Sequence, residues 1–271
     1  MSKVALITGA GSGFGLGLTK ELIALGWVVY AADKNKSAAQ ATKEFGAVPL
    51  VMDVTKDIDV TKGVAKIIKE QGQIDLLVAN AGYGNFSSVE ETTSDQVHQI
   101  FDVNFFGVER CIRAVLPQMR KQHSGRILIS TSVVAHVSLI GLGWYAATKH
   151  ALKAVANALR QEVAELGIKV STIEPGTSKT GFGSVAFGLM EDGRSVSEYD
   201  GVMRGVDKWL GGIYRISPGP NKVVKAMVKA ATSKRPRPHY PASWDVRALK
   251  LVFYVLPKGF LDKFILWLSR H

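Results

Sequence analysis

Short runs rich in Val, Ile, Leu and Ala recur along the chain, separated by stretches of helical period. Residues 3–8, 28–32, 48–52, 74–79, 125–130 and 168–173 are apolar without strict alternation. That is the pattern of strands buried on both faces of a parallel sheet. Helical segments lie between them, one running through Leu25, one over 56–71 and a long one over 144–166. Strand, helix and strand at this spacing predict right-handed crossovers and a doubly wound α/β sheet of Rossmann type. Such a sheet places its working crevice at the carboxyl ends of the strands. A single domain over 1–271 is expected. Residues 177–218 are glycine-rich and weakly periodic, and they read as a substrate lid with short helices, placed straight after the sixth strand.

The first strand runs into Thr8-Gly9-Ala10-Gly11-Ser12-Gly13-Phe14-Gly15, just before the first helix. Backbone N–H groups at a helix N-terminus hold a pyrophosphate where no side chain intervenes. Gly9, Gly13 and Gly15, with Ser12 and Phe14 among them, therefore predict a dinucleotide site. Asp33 ends the second strand, 18 residues after Gly15. A carboxylate there accepts hydrogen bonds from the adenosine ribose and repels a 2′-phosphate by a few kcal/mol. With no Lys or Arg in the glycine loop this favours NAD over NADP, although Lys34 and Lys36 stand close. Asp53-Val54 after the third strand and Asn80-Ala81-Gly82 after the fourth read equally well as strand-end turns or as cofactor contacts.

Tyr145 and Lys149 are four residues apart on the long helix and share a face. An ammonium beside a phenol should lower the phenol's pKa, making it a proton shuttle for an alcohol or carbonyl oxygen. Ser132 lies 13 residues earlier, at the end of the fifth strand, where a hydroxyl could hold the substrate oxygen. Ser130 and Thr131 compete for that role, and alternation puts Ser130 and Ser132 on one face.

Taken together, TGxxxGxG at 8–15, Asn80-Ala81-Gly82, Asn104, Ser132, the Tyr145/Lys149 pair, and Pro175-Gly176 with Thr180 resemble the short-chain dehydrogenase/reductase family over almost the whole chain. Ala79 departs from the asparagine that often precedes Asn-Ala-Gly in that family. The resemblance implies that Asn104 completes a proton relay with Lys149 and that Lys149 also holds the nicotinamide ribose. It implies that Pro175, Gly176 and Thr180 contact the nicotinamide end. The implied activity is hydride transfer between NAD and an alcohol/carbonyl pair, with homodimers or homotetramers as the assembly. The long C-terminal half resembles the hydroxysteroid- and retinol-dehydrogenase-like branch, which implies a bulky lipophilic alcohol or ketone. Phe182, Phe187, Leu189, Met190, Met203 and Trp209 should line its pocket. The rival readings are an NADPH-dependent ketoreductase of 3-ketoacyl type and a nucleotide-sensing scaffold without activity.

Composition adds boundaries. The single cysteine, Cys111, forms no internal disulfide, fits a reducing, cytoplasmic setting and reads as a buried bystander. No leader or spanning helix is expected. The six histidines lack metal spacing, and His150 reads as a packing or surface residue. Net charge is +11, of which +6 falls after residue 233, with no nucleic-acid module to explain it. The helices after Asn104 and Trp144 look apolar nearly all round, as buried or subunit-facing helices are. In the extension over 242–271, Leu249, Val252, Phe253 and Leu256, then Leu261, Phe264, Ile265 and Leu268, predict two helices broken at Pro257. Their stripes should pack on the protein or lie on an anionic membrane, with packing the expected fate.

Overall fold

A computed structural model of the protein describes residues 2–179 and 196–269. Seven parallel strands form one sheet in the order β3-β2-β1-β4-β5-β6-β7. They are β1 (Val4–Thr8), β2 (Val28–Asp33), β3 (Val48–Val51), β4 (Leu76–Ala79), β5 (Gly125–Ser130), β6 (Ile168–Glu174) and β7 (His239–Pro241). The first six match the expected runs within two residues. The seventh was not foreseen: the prolines around it mask a three-residue edge strand that pairs with β6 from Thr172 to Glu174.

Successive residues of β1 point to opposite sides, and each side is covered. Val4 and Leu6 join a core with α3 (Asp57–Gln71), α5 (Gly107–Gln122) and α6 (Gly143–Glu162). Ala5 and Ile7 join a second core with α1 (Gly13–Ala24) and α8 (Asn221–Thr232). This two-sided burial explains why the strands read as continuous apolar runs. Two elements before the fifth strand complete the layers, α2 (Lys36–Ala41) and α4 (Ser94–Phe101). The second is started by a Thr93/Gln96 capping box.

Two expectations need correction. The helix after Asn104 is not apolar all round: Val108, Cys111, Ile112, Val115 and Met119 are buried, while Glu109, Arg113 and Arg120 are exposed. In α6, Ala146, Leu152, Ala156 and Leu159 are buried, and Ala154, Val155 and Ala158 form a small exposed face. The described part of the lid is also more regular than short helices. A brief 3₁₀ turn leads into α7 (Asp200–Ile216), which buries Met203, Val206 and Leu210 along one side. Its glycines obscured that period, and one of them has a packing reason. A Cβ at Gly205 would collide with the backbone carbonyl of Ser269, at the end of the last helix. Thr180, Phe182, Phe187, Leu189 and Met190 lie outside the described residues.

The extension forms the two helices expected, α9 (Trp244–Val255) and α10 (Lys258–Leu268), with Pro257 capping the second. Packing holds for part of the stripes: Leu261 and Ile265 are buried. Leu249, Val252, Leu256 and Phe264 remain exposed. No helix among the described residues is long and apolar enough to cross a membrane.

Candidate active site

The carboxyl ends of β1, β2, β4, β5 and β6 open onto a cavity of about 420 Å³. Gly9, Ser12, Gly13, Phe14, Asp33, Asp53, Val54, Asn80, Ala81, Gly82, Ser132, Tyr145, Lys149, Pro175 and Gly176 all line it. Residues chosen over a span of 168 positions, from 9 to 176, therefore converge on one space.

At one end stands the glycine turn. Gly9 has φ +63°, and a Cβ on Gly15 would strike the Gly9 carbonyl. Ser12 precedes α1 without capping it by its side chain, and no acidic residue occupies the first turn. The first turn of α1 thus offers backbone N–H groups that no side chain caps, and its Gly13 and Phe14 line the cavity, which makes it an anion cradle. These features fit a dinucleotide's pyrophosphate. Thr8 fixes the turn against β4: its Oγ1 accepts the N–H groups of Asn80 and Ala81, both at 3.0 Å, and Asn80 Nδ2 donates to Thr8 O at 3.1 Å. Asn80 Oδ1 accepts from Ser130 Oγ at 3.1 Å, which extends the clamp to β5. Three strand ends are locked together in this way. Asp33 accepts from Gly11 N–H at 3.0 Å and from Asn35 N–H at 2.9 Å. Asp53 accepts from the N–H and hydroxyl of Thr55 at 3.0 and 2.8 Å, so it serves a turn while also lining the cavity. Burial opposes its charge, but those bonds and the ammonium groups of Lys56 and Lys34 hold its carboxyl below the usual range.

At the other end Tyr145 and Lys149 lie one turn apart in α6, both buried. Ser132 hydrogen-bonds the Tyr145 phenol and caps a short 3₁₀ turn through Val134 N–H at 3.3 Å. Ser130 and Thr131 are engaged elsewhere. Thr131 Oγ1 donates to Ile173 O at 2.9 Å, and Ser130 is tied to Asn80. Ser132 is therefore the hydroxyl that stands beside the tyrosine. Lys149 Nζ donates to Ser130 O at 2.9 Å and lies 5.6 Å from the Tyr145 ring centre.

The phenol's pKa is raised, where an ammonium beside it was expected to lower it. Burial pushes Tyr145 up to about 12, against a smaller downward pull from Ser132. Burial also pushes Lys149 down to about 8. A low-dielectric site disfavours both charged forms, and this desolvation outweighs their mutual effect.

Asn104 is fully buried, but it does not line the cavity. Its Oδ1 accepts from Tyr83 N–H at 3.0 Å, and its Nδ2 donates to Tyr83 O at 2.8 Å. It sits in a π-helical turn, Asp102–Phe106, between α4 and α5. Such turns widen the backbone ladder and concentrate at functional sites. Gly82 separates it from Lys149: a Cβ there would lie 2.9 Å from Asn104 Oδ1 and 3.7 Å from Lys149 Nζ.

The apolar wall near Tyr145 comes from Phe86, Leu139, Leu142, Leu210 and Tyr214. Met203 and Trp209, expected in the pocket, instead pack behind Phe86 and Leu210 in a separate cluster. Phe86 had no sequence signal, since it stands in an irregular segment with no motif.

The comparisons agree with the fold. Residues 3–186 match the family model for short chain dehydrogenases. The chain belongs to the short-chain dehydrogenase/reductase family. It is 38% identical over 200 residues to a 3-ketodihydrosphingosine reductase of Bacteroides thetaiotaomicron, covering 73% of this chain and 70% of that protein. It is 30% identical to the uncharacterized oxidoreductase YbbO of Escherichia coli, covering 98% and 94%. It also resembles the crystal structure of 3-ketoacyl-(acyl-carrier-protein) reductase from Brucella melitensis complexed with NADH, at 28% identity and TM-score 0.73, covering 86% and 91%. This short-chain dehydrogenase/reductase is accordingly an oxidoreductase with the family's parallel sheet.

Cys111 is buried, as expected, and burial pushes its thiol up to about 12. That rules it out as a ready nucleophile. No group of metal-ligating side chains occurs among the described residues.

Proposed function

We propose that the protein transfers a hydride between NAD and a bulky lipophilic secondary alcohol or ketone, with Tyr145 as the proton-transfer group. The observation that carries this reading is the meeting of Ser132, Tyr145 and Lys149 in one cavity with the anion cradle at its other end. Bound there, the dinucleotide would supply a hydride donor or acceptor at its nicotinamide. Gly9, Ser12, Gly13, Phe14 and Gly15 would take the pyrophosphate, and Asp33 the adenosine ribose. Asp53 and Val54 would border the adenine. Asn80, Ala81 and Gly82, with Pro175, Gly176 and Thr180, would flank the remainder.

Ser132 and Tyr145 then hold the substrate oxygen. In reduction the phenol would give its proton to the carbonyl oxygen of the substrate, and in oxidation its oxygen would take the proton of the alcohol. With its pKa pushed up to about 12, Tyr145 keeps its proton at neutral pH and is ready to donate it. Lys149 and Asn104 would replace that proton through a relay running past Gly82. Oxidation needs the phenol's pKa lowered, and a protonated Lys149 beside it would act in that direction.

Two things support the lipophilic substrate. The wall near Tyr145 is apolar, and a relative 38% identical is a 3-ketodihydrosphingosine reductase. NAD is favoured over NADP by the Asp33 carboxylate. Lys34, which also lines the cavity, supports the second reading, an NADPH-dependent ketoreductase. The exposed Ala154, Val155 and Ala158 face of α6 supports assembly into homo-oligomers. A panel of short and long-chain secondary alcohols and their ketones, each with both cofactors, tests the reading through absorbance of the reduced nicotinamide. Turnover should be fastest with NAD(H) and long apolar substrates. No turnover with any member would refute it, and a preference for NADPH would favour the second reading.

A further inference from the structure

A second cavity, of about 510 Å³, lies away from the one described, between α6 and α9. Its lining mixes cationic and apolar side chains. His136 follows the 3₁₀ turn after Ser132, Lys153 comes from α6, Arg247 and Lys250 come from α9, and Leu251 and Tyr254 of α9 also line it. Glu174, fully buried at the end of β6, is the carboxylate beneath it, and it is already engaged. Lys250 Nζ lies 2.7 Å from Glu174 Oε2, and His136 Nε2 lies 3.1 Å from Oε1. Lys153 Nζ meets the other nitrogen of that imidazole, His136 Nδ1, at 2.8 Å. An ammonium bound there finds a neutral acceptor, not an anion. Among the described residues no carboxylate pairs with Lys153 or Arg247. Glu174 pairs directly with Lys250 and acts on Lys153 only without contact, so the cavity lining carries more positive than negative charge.

The rim continues into exposed apolar surface. Leu251 is 64% exposed, Tyr254 90% and Val255 66%. Phe260 and Trp267 of α10 are exposed by more than half as well. Monomeric proteins rarely leave so many large apolar side chains together in water. The segment carrying them holds five Lys/Arg and two Asp/Glu from residue 244 onward.

We propose that this cavity binds the phosphate headgroup of an acidic phospholipid, with α9 and α10 lying on the bilayer surface. The charge of the cavity complements the phosphate, and the exposed side chains reach the acyl boundary beside it. Packing of Leu261 and Ile265 on the protein sets the two helices at its surface, which makes the contact peripheral. The inference is independent of the substrate reading, because it concerns a separate cavity.

Flotation of the whole protein with vesicles tests it. Phosphatidylcholine vesicles containing about three-tenths phosphatidylglycerol should carry the protein upward, and pure phosphatidylcholine should not. Added salt should weaken the binding. Lys153→Gln with Arg247→Gln should cut partitioning about tenfold or more, with thermal midpoint and turnover of a water-soluble alcohol unchanged. Tyr254→Ser with Val255→Ser, both at exposed positions, should also reduce it. No flotation on the anionic vesicles would overturn the proposal, as would equal flotation of the double glutamine variant. Protection of the protein by inorganic phosphate without flotation would overturn the lipid as the source of the phosphate. Turnover is measured without vesicles, so failure of the substrate reading and failure of this one are distinguishable.

Discussion

Lys149 and Lys250 both bring an ammonium to the carboxyl ends of neighbouring strands, β5 and β6, but they meet different partners. Lys149 reaches a backbone carbonyl, Ser130 O, and among the described residues it forms no ion pair with a carboxylate. Lys250 reaches Glu174, a carboxylate with no exposure to water. At the first site desolvation dominates, and the lysine is pushed down to about 8. At the second, burial works against the Glu174 charge, but His136, His239 and Lys250 overcome it and hold the carboxyl far below its usual range. The first arrangement stores electrostatic cost and leaves a proton easy to move, as a proton-transfer site requires. The second neutralises charge and ties the C-terminal extension to the end of β6, just before Pro175. The two regions separate chemistry from cohesion.

Removing the buried carboxylate should produce the larger stability effect. Glu174→Gln leaves Lys250 and two imidazoles facing a neutral amide, and it should destabilise the fold by about 3 kcal/mol at neutral pH. The pH dependence has a definite sign. Glu174 has a folded pKa depressed below its unfolded value of 4.5. Its contribution is therefore present above that value and lost as pH falls below it. Denaturant unfolding at pH 7 and at pH 3 checks this: the gap between parent and variant should shrink at the lower pH. A constant gap would mean that Glu174 acts by shape and not by charge.

Lys149 should behave in the opposite sense. Its pKa falls from 10.5 unfolded to about 8 folded. The unfolded chain thus binds the extra proton between those values, and stability rises with pH across that window. Measured against Lys149→Met, the parent should gain about 3 kcal/mol between pH 7 and pH 10.5. A parent that gains nothing relative to the variant would mean that the ammonium is compensated after all.

Cofactor choice should change less. Asp33→Ala removes the carboxylate that would oppose a 2′-phosphate. It should narrow the preference for NAD by about tenfold, equivalent to ~1.4 kcal/mol. Titrating both cofactors against parent and variant decides it; equal affinities in the parent would contradict the assignment of Asp33.

The same contrast explains what the sequence made legible. Thr8 to Gly15, Tyr145 with Lys149, and Asn80 to Gly82 are local spacings, and local spacing survives in a one-dimensional string. Two-sided burial left its mark on six strands for the same reason. Glu174 left no such mark, because its partners His136, His239 and Lys250 come together only through the folded chain. The regular period of α7 was hidden by glycines, of which Gly205 answers to Ser269, 64 residues later. The spacing of Tyr145 and Lys149 foretold that they share a helix face, but not that burial raises the phenol's pKa. Spacing reveals that an ammonium is near and says nothing of how much water both groups lose.

The central claim is that Tyr145 moves the proton. The most direct measurement compares the parent with Tyr145→Phe, using the best substrate of the panel and fluorescence titration of NADH. The phenyl ring keeps the packing and removes only the oxygen, so cofactor affinity should stay within about twofold. Turnover should drop by at least about a thousandfold. Turnover within about tenfold of the parent, with NADH still bound, would contradict it.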